Sequence, residues 1–195
     1  MDLKKLAMIN CYMEEISTIK QESVNSDEKF LSIEKYDCQL NNGKTIRREK
    51  LLKNKEDGSA AIIFPITVDN KIILAIEPRV FTERTVDIGL PAGYIEHLED
   101  PFQAAARELK EETGYQSNDL TLLGSFYQDQ GVSAAYNHYF LAKNCIKVST
   151  QHLDEEEFIK YILVSMDELD WLVDNGYIKG LNSAYTIEKV KKLIK

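Results

Sequence analysis

Residues 93–115 constrain this chain more than any other stretch. Their spacing predicts a helix over 100–113 with both ends specified. Asp100 is a good N-cap, Pro101 suits the first helical position and Gln103 completes a capping box. Gly114 supplies the left-handed stop, and Phe102, Ala106 and Leu109 form the expected apolar stripe. On that helix Glu108, Glu111 and Glu112 fall at i, i+3 and i+4, so their side chains project from one face. Like charges at this spacing cost roughly a few tenths of a kcal/mol per pair. Glu111 and Glu112 also lie in the last turn, where the helix dipole favours cations. Two local rules are broken with no local gain, which marks a functional rather than a structural stretch.

A divalent cation resolves both conflicts. Clustered carboxylates are hard oxygen ligands that suit magnesium, with manganese as the alternative. Magnesium keeps part of its water shell and takes phosphate oxygens as further ligands, so a phosphate-bearing substrate follows. Arg107 can fork onto a carboxylate and hold it, with Glu99 and Glu111 as candidate partners. For the three glutamates alone, a solvated acidic helix face is the plainer reading.

The wider spacing changes that balance. From Gly93, five residues lead to Glu99 and seven more to Arg107-Glu108-Leu109; one residue on come Glu111-Glu112, and one further Gly114-Tyr115. This pattern is similar to the complete Nudix box. The flanking strands, and Gly176-Tyr177-Ile178 followed by a helix, resemble the same family. Arg48-Glu49 on an N-terminal hairpin, Glu77-Pro78-Arg79 ending a strand, and Leu90-Pro91-Ala92-Gly93 opening the box most resemble its ADP-ribose pyrophosphatase branch.

The resemblance implies an α/β fold: a Nudix-type α/β/α sandwich with a mixed β-sheet, plus an N-terminal helix and β-hairpin. It implies a metal-dependent hydrolase that cleaves the pyrophosphate of a nucleoside diphosphate linked to another group, ADP-ribose or a related nucleoside-diphosphate sugar being favoured. The alternatives are the same chemistry on a nucleoside triphosphate, a dinucleotide or a coenzyme A derivative, and a non-catalytic nucleotide-sugar sensor. By the same resemblance Glu108 and Glu112 are the principal metal ligands, Glu111 is a further ligand or orients water, and the Ala92 carbonyl also binds metal. Arg107 and Glu99 orient the cluster. Arg48, Glu49, Arg79 and Gly93 are carried over to the substrate side. Two departures bear on the catalytic base. Gln130 stands before Gly131 where the branch has proline, and Val132-Ser133-Ala134-Ala135 lacks the loop glutamate. Asp129 is the nearest acid in that loop, and Glu155, Glu156 or Glu157 could serve if their turn folds inward.

The rest of the chain fits one main domain. Across 195 residues, 24 basic against 32 acidic side chains give a net charge of −8, which argues against nucleic-acid or membrane-surface partners. Hydrophobic residues make up 44%, enough for a sizeable core. Three distant cysteines without CxxC spacing read as plain thiols. No signal peptide or membrane span is expected, and the expected location is the cytoplasm. An amphipathic helix is expected over 3–19, with Leu3, Leu6, Ile9, Met13, Ile16 and Ile19 on one side, then a polar linker over 21–29. A hairpin follows, 30–40 and 45–52 around Asn41-Asn42-Gly43-Lys44. A second hairpin spans 60–68 and 71–76 around Asp69-Asn70, and further strands are expected over 120–127, 136–143 and 158–164. Helices over 166–175 and 183–193 close the chain. Residues 1–52 are read as an appendage, which by the same resemblance is expected to pack into a homodimer, and 53–195 as the hydrolase domain. His97 and His138 are weighed as substrate contacts; for both, a solvated or hydrogen-bonded histidine is the plainer reading, and Trp171 reads as core.

Overall fold

The computed structural model of the chain describes residues 1–22 and 30–194; residues 23–29, most of the expected linker, lie outside the described residues. Helix α1 (Leu3–Ile16) comes first, capped by the Asp2 carboxylate on the amides of Lys4 and Lys5. It stops short of the expected end because Ser17 turns extended, and its amide and hydroxyl both bond the Glu14 carbonyl. The apolar stripe is correspondingly shorter. Ile9 is fully buried, while Ile19 stands 98% exposed.

Strands β1 (Leu31–Gln39) and β2 (Thr45–Lys53) form a separate antiparallel ribbon around the expected turn, where Gly43 adopts φ +82°. The charge run on β2 is paired across the ribbon: Arg47 forks onto Asp37 at 2.8 and 3.2 Å, and Glu49 faces Lys35.

The main sheet holds β3 (Ala60–Thr67), β4 (Ile72–Pro78), β5 (Val86–Gly89), β6 (Ala92–Tyr94), β7 (Tyr115–Gln116), β8 (Asp119–Tyr127), β9 (Tyr136–Lys147) and β10 (Lys160–Val164). Its central path runs β10-β4-β3-β9-β7, with β5 on β4, β6 on β3 and β8 on β9. Among the described residues only β3 and β9 pair in parallel, so the sheet is mixed, as expected. Helix α2 (Pro101–Thr113) lies between β6 and β7; α3 (Met166–Asp174) and α4 (Leu181–Leu193) follow β10.

Alternation along the strands makes two cores. Ile62, Phe64, Tyr139 and Leu141 face α1, α3 and α4; Ala61, Ile63, Phe140 and Ala142 face α2. Both sets are apolar because helices cover both faces, which gives an α/β/α sandwich. Ile9 of α1 sits in the first of these cores, so the opening helix packs on the sheet. Among the described residues no helix is long and apolar enough to cross a membrane.

Helix α2 obeys its end signals but not its expected stripe. The Asp100 carboxylate accepts from the Phe102 amide and Gly114 is left-handed at φ +70°. The reciprocal bond from Gln103 is not formed, so the cap is simple rather than boxed. The buried face is Ala104, Ala105, Glu108, Leu109, Glu112 and Thr113; Ala106 is exposed, and Phe102 is half exposed while edging onto Phe140 at 4.9 Å. Two glutamates therefore lie on the face where periodicity alone would place only apolar groups.

Candidate active site

The short β6 is the device that sets the site. It pairs with β3 through Ala60↔Tyr94, Ala61↔Gly93 and Ile62↔Ala92, and so lies directly beneath the C-terminal half of α2. The Glu112 carboxylate accepts from the Ala92 amide at 3.2 Å, and the Glu108 carboxylate lies flat on Gly93. A Cβ at residue 93 would fall 2.1–2.3 Å from three atoms of that carboxylate, so glycine is what lets the carboxylate lie there.

Arg107 ties the cluster together. Its Nε and Nη2 fork onto Glu99 at 2.9 Å each, Nη1 donates to Glu108 at 2.7 Å and Glu111 at 3.0 Å, and Nη2 also reaches the Tyr94 carbonyl at 3.0 Å. This holds the Glu99 carboxyl below its ordinary range. Burial pushes the Glu108 carboxyl up to about 7, against the opposing pull of Arg107. Glu112 is pushed well above the ordinary range, first by burial and then by Glu77 and Glu108, with only the Ala92 amide opposing.

Glu108 and Glu112 are thus two nearly buried carboxylates, 7% and 3% exposed, with one guanidinium that reaches only the first. Such a pair is costly without further positive charge. Among the described residues no three acidic, histidine or cysteine side chains close around a common point, and Arg107 holds Glu108 and Glu111 to itself. The donor set nevertheless fits a hard divalent cation: carboxylate oxygens, uncompensated and at one end of a cleft.

That cleft measures about 780 Å³. Its lining includes Glu108, Glu112, Arg107, Ala92 and Gly93, together with Glu77 of β4 and Arg79 just beyond that strand. Glu77 is pushed up by burial, with Arg79 bonded to it at 2.5 Å. Glu77 was legible only as part of a motif; its burial beside Glu112 needed the fold. The turn at 154–157 does bend inward: Asp154, Glu156 and Glu157 line the cleft, whereas Glu155 does not.

Other expected residues lie elsewhere. Asp129 is exposed and occupied within its own loop, accepting from Gly131 through its side chain and from Val132 and Ser133 through its carbonyl; its neighbour Gln128 lines the cleft instead. Arg48 and Glu49 are exposed on the ribbon, outside the cleft of their own chain, whereas Lys53 at its base lines it. His97 is exposed against Glu56 at 3.1 Å. His138 points to the α2 side, bonded to Ser125 Oγ at 2.8 Å, and burial lowers its pKa. The opposite parity of β9, Asn137 and Tyr139, turns the other way, and Asn137 reaches the cleft. Asparagine at a strand position sharing parity with Tyr139 and Leu141 was the available signal for it.

Known proteins resemble this arrangement. Residues 57–181 match the model of the NUDIX domain family. An ADP-ribose pyrophosphatase of Bacillus subtilis (strain 168) is 34% identical over 175 residues, 89% of this chain and 91% of that protein. A methanol dehydrogenase activator of Bacillus methanolicus is 36% identical over 155 residues, 79% of this chain and 80% of its own. A crystal structure of an ADP compounds hydrolase superposes with a TM-score of 0.72 at 24% identity, covering 92% of this chain and 94% of that one.

Proposed function

The chain belongs to the Nudix family and is a pyrophosphohydrolase, and from that premise we propose that it hydrolyses ADP-ribose or a closely related nucleoside-diphosphate sugar with magnesium. The observation that carries the reading is the pair Glu108 and Glu112, buried side by side against Gly93 and Ala92 at the end of a cleft large enough for a nucleotide sugar.

Glu108 and Glu112 would hold the metal, with Glu111 and the Ala92 carbonyl as further ligands. Bound there, a divalent ion supplies positive charge to the diphosphate and lowers the pKa of a water. The protein's own part is positioning. Arg107, clamped by Glu99, fixes the rotamers of Glu108 and Glu111. Arg79 offers a guanidinium to the diphosphate from the cleft lining. Glu156 and Glu157 stand closer to the reacting end than Asp129 does and replace it as our candidates for the base. Glu157 adds to the upward pressure on both Glu108 and Glu112, which supports its placement.

The assembly we propose is a homodimer built within residues 1–52 on the β1–β2 ribbon, since α1 of that segment packs on its own sheet, with 53–195 as the catalytic unit, in the cytoplasm. The ribbon presents Leu31, Ile33, Tyr36 and Leu40 to solvent, at 50, 60, 44 and 40% exposure, and carries Arg48 and Glu49 exposed and outside its own cleft, free to serve a second subunit's. A monomeric mass in solution would overturn this part. The activity is tested by incubating the protein with ADP-ribose and magnesium and identifying AMP and ribose 5-phosphate. Absence of both products, with the metal-dependent thermal shift intact, would discard the substrate and keep the metal site.

A further inference from the structure

The reaction above leaves one buried polar group in the cleft wall without a role. Asn137 on β9 is fully buried, and its Oδ1 accepts from the Ala60 amide at 3.1 Å. A backbone amide can only donate, so the atom facing Ala60 must be the oxygen, which fixes Nδ2 on the other side. That Nδ2 is enclosed and has no hydrogen-bond partner among the described residues. It lies close enough to the Tyr139 hydroxyl to oppose the rise that burial imposes on that phenol, but forms no hydrogen bond with it. The hydroxyl donates to Asn182 Oδ1 at 2.9 Å. Asn137 and Asn182 both line the cleft. An enclosed donor without a partner destabilises a fold unless something else satisfies it.

The sheet register locates what would satisfy it. Ala60 lies between Tyr94 on β6 and Asn137 on β9, and the next row is Gly93, Ala61 and His138. Two interstrand spacings put Asn137 about 10 Å across the sheet from the Gly93 backbone on which Glu108 rests. Asn137 and the carboxylates line the same cleft, so a group that meets Nδ2 there belongs to the part of the substrate beside the diphosphate. The Ala60 N–H on Asn137 and the Tyr139–Asn182 pair near it are uncharged, and Ala60, Tyr94, Asn137 and Asn182 all line the cleft.

Resting on the proposed function, we infer that Asn137 is a specificity-determining residue. Its Nδ2 donates a hydrogen bond to an uncharged acceptor, a hydroxyl oxygen or a ring nitrogen, on one of the two groups flanking the diphosphate. This acceptor chemistry is shared by the sugar and the nucleobase, and two substrate series separate them.

The test compares wild type with Asn137→Leu, which removes the donor, and Asn137→Asp, which keeps the oxygen for Ala60 should the first variant fail to fold. kcat/KM is measured with magnesium on ADP-ribose against ADP-glucose, which differ in the sugar, and on ADP-, UDP- and GDP-glucose, which differ in the base. The loss of one neutral hydrogen bond is worth about tenfold. We expect the variants to compress the preference within one series by about that factor and leave the other series unchanged. An equal fall on every substrate, or no change, overturns the inference and leaves Asn137 as a support for Ala60 and Tyr139. Should wild type cleave none of these, the proposed function fails separately, and calorimetric binding of AMP and of ribose 5-phosphate takes over the reading. A tenfold loss for one half alone then supports the role of Asn137. An equal loss, no loss, or binding of neither half by wild type overturns it.

Discussion

Replacing Gly93 by alanine separates the proposed metal site from the fold. The added Cβ would lie 2.1, 2.2 and 2.3 Å from Cδ, Oε1 and Oε2 of Glu108. Ordinary contact is about 3.5 Å, so the carboxylate must move by over 1 Å or β6 must lift from α2. The carboxylate is the end of a flexible side chain, and the backbone at Gly93 is not left-handed, so the first response is the cheaper one. It breaks the 2.7 Å bond from Arg107 and moves a proposed metal ligand, and a misplacement of about 1 Å at a reacting centre costs about 10²-fold. We therefore expect kcat on ADP-ribose to fall about a hundredfold and the magnesium midpoint to rise, with melting in metal-free buffer lowered by at most about 3 °C. Gly114→Ala is the contrast. At φ +70°, with its Cβ 2.2 Å from the Ser149 carbonyl oxygen, it strains the backbone itself and should cost about 1–2 kcal/mol or more in stability. Wild-type turnover and metal response in Gly93→Ala would refute the placement of Glu108. A melting loss as large as that of Gly114→Ala would make Gly93 a packing residue.

Glu112→Gln keeps an oxygen for the Ala92 amide and removes a charge that burial disfavours. Metal-free melting should stay level or rise while turnover and the magnesium-induced thermal shift disappear; retained turnover would sink the ligand assignment. Ile9→Ala should cost about 2–4 kcal/mol in denaturant unfolding, since Ile9 is fully buried between α1 and the sheet. A cost under about 0.5 kcal/mol, as for a surface position, would mean that α1 is not docked. Burial pushes the Cys145 thiol up to about 11, whereas Cys11 is exposed, so a thiol reagent at pH 8 should label Cys11 in the native protein and Cys145 only after unfolding. Equal labelling rates would contradict the core described for β9.

How far the sequence could be read depended on how local each signal was. The ends of α2 were legible because Asp100, Pro101 and Gly114 act through their own neighbours. Its buried face was not, because a periodicity that counts apolar residues cannot place Glu108 and Glu112 inward; function overrides the pattern there. The hairpins were legible from turn residues such as Gly43 and Asn70, both at positive φ. Strands of two to four residues, β5 to β7, carry no usable alternation, so the element that positions the site went unseen. On β9 both parities are largely apolar, and so sidedness could not be assigned: His138 was weighed for the cleft although Asn137 is the residue that faces it. The roles of the 154–157 turn and of Asp129 depend on how loops fold over the sheet, which no local spacing encodes.

The parallel pairing of β3 with β9 also sets the order in which this molecule can come into being. The bond from Ala60 to Asn137 joins residues 77 apart, and β4 waits for β10, further on still. During synthesis from the N-terminus, the ribbon and α2 emerge long before the strands that complete the sheet around them. Until β9 and β10 arrive, Ile63 and Ile73 have no complete core, and the crowded carboxylates of α2 are held in water rather than against a wall. Contacts of such long sequence separation slow the final collapse, so the nascent chain passes through a window with an Ile-rich hairpin uncovered. Mutations that weaken β9 or β10 should therefore reduce soluble yield out of proportion to their effect on the finished protein.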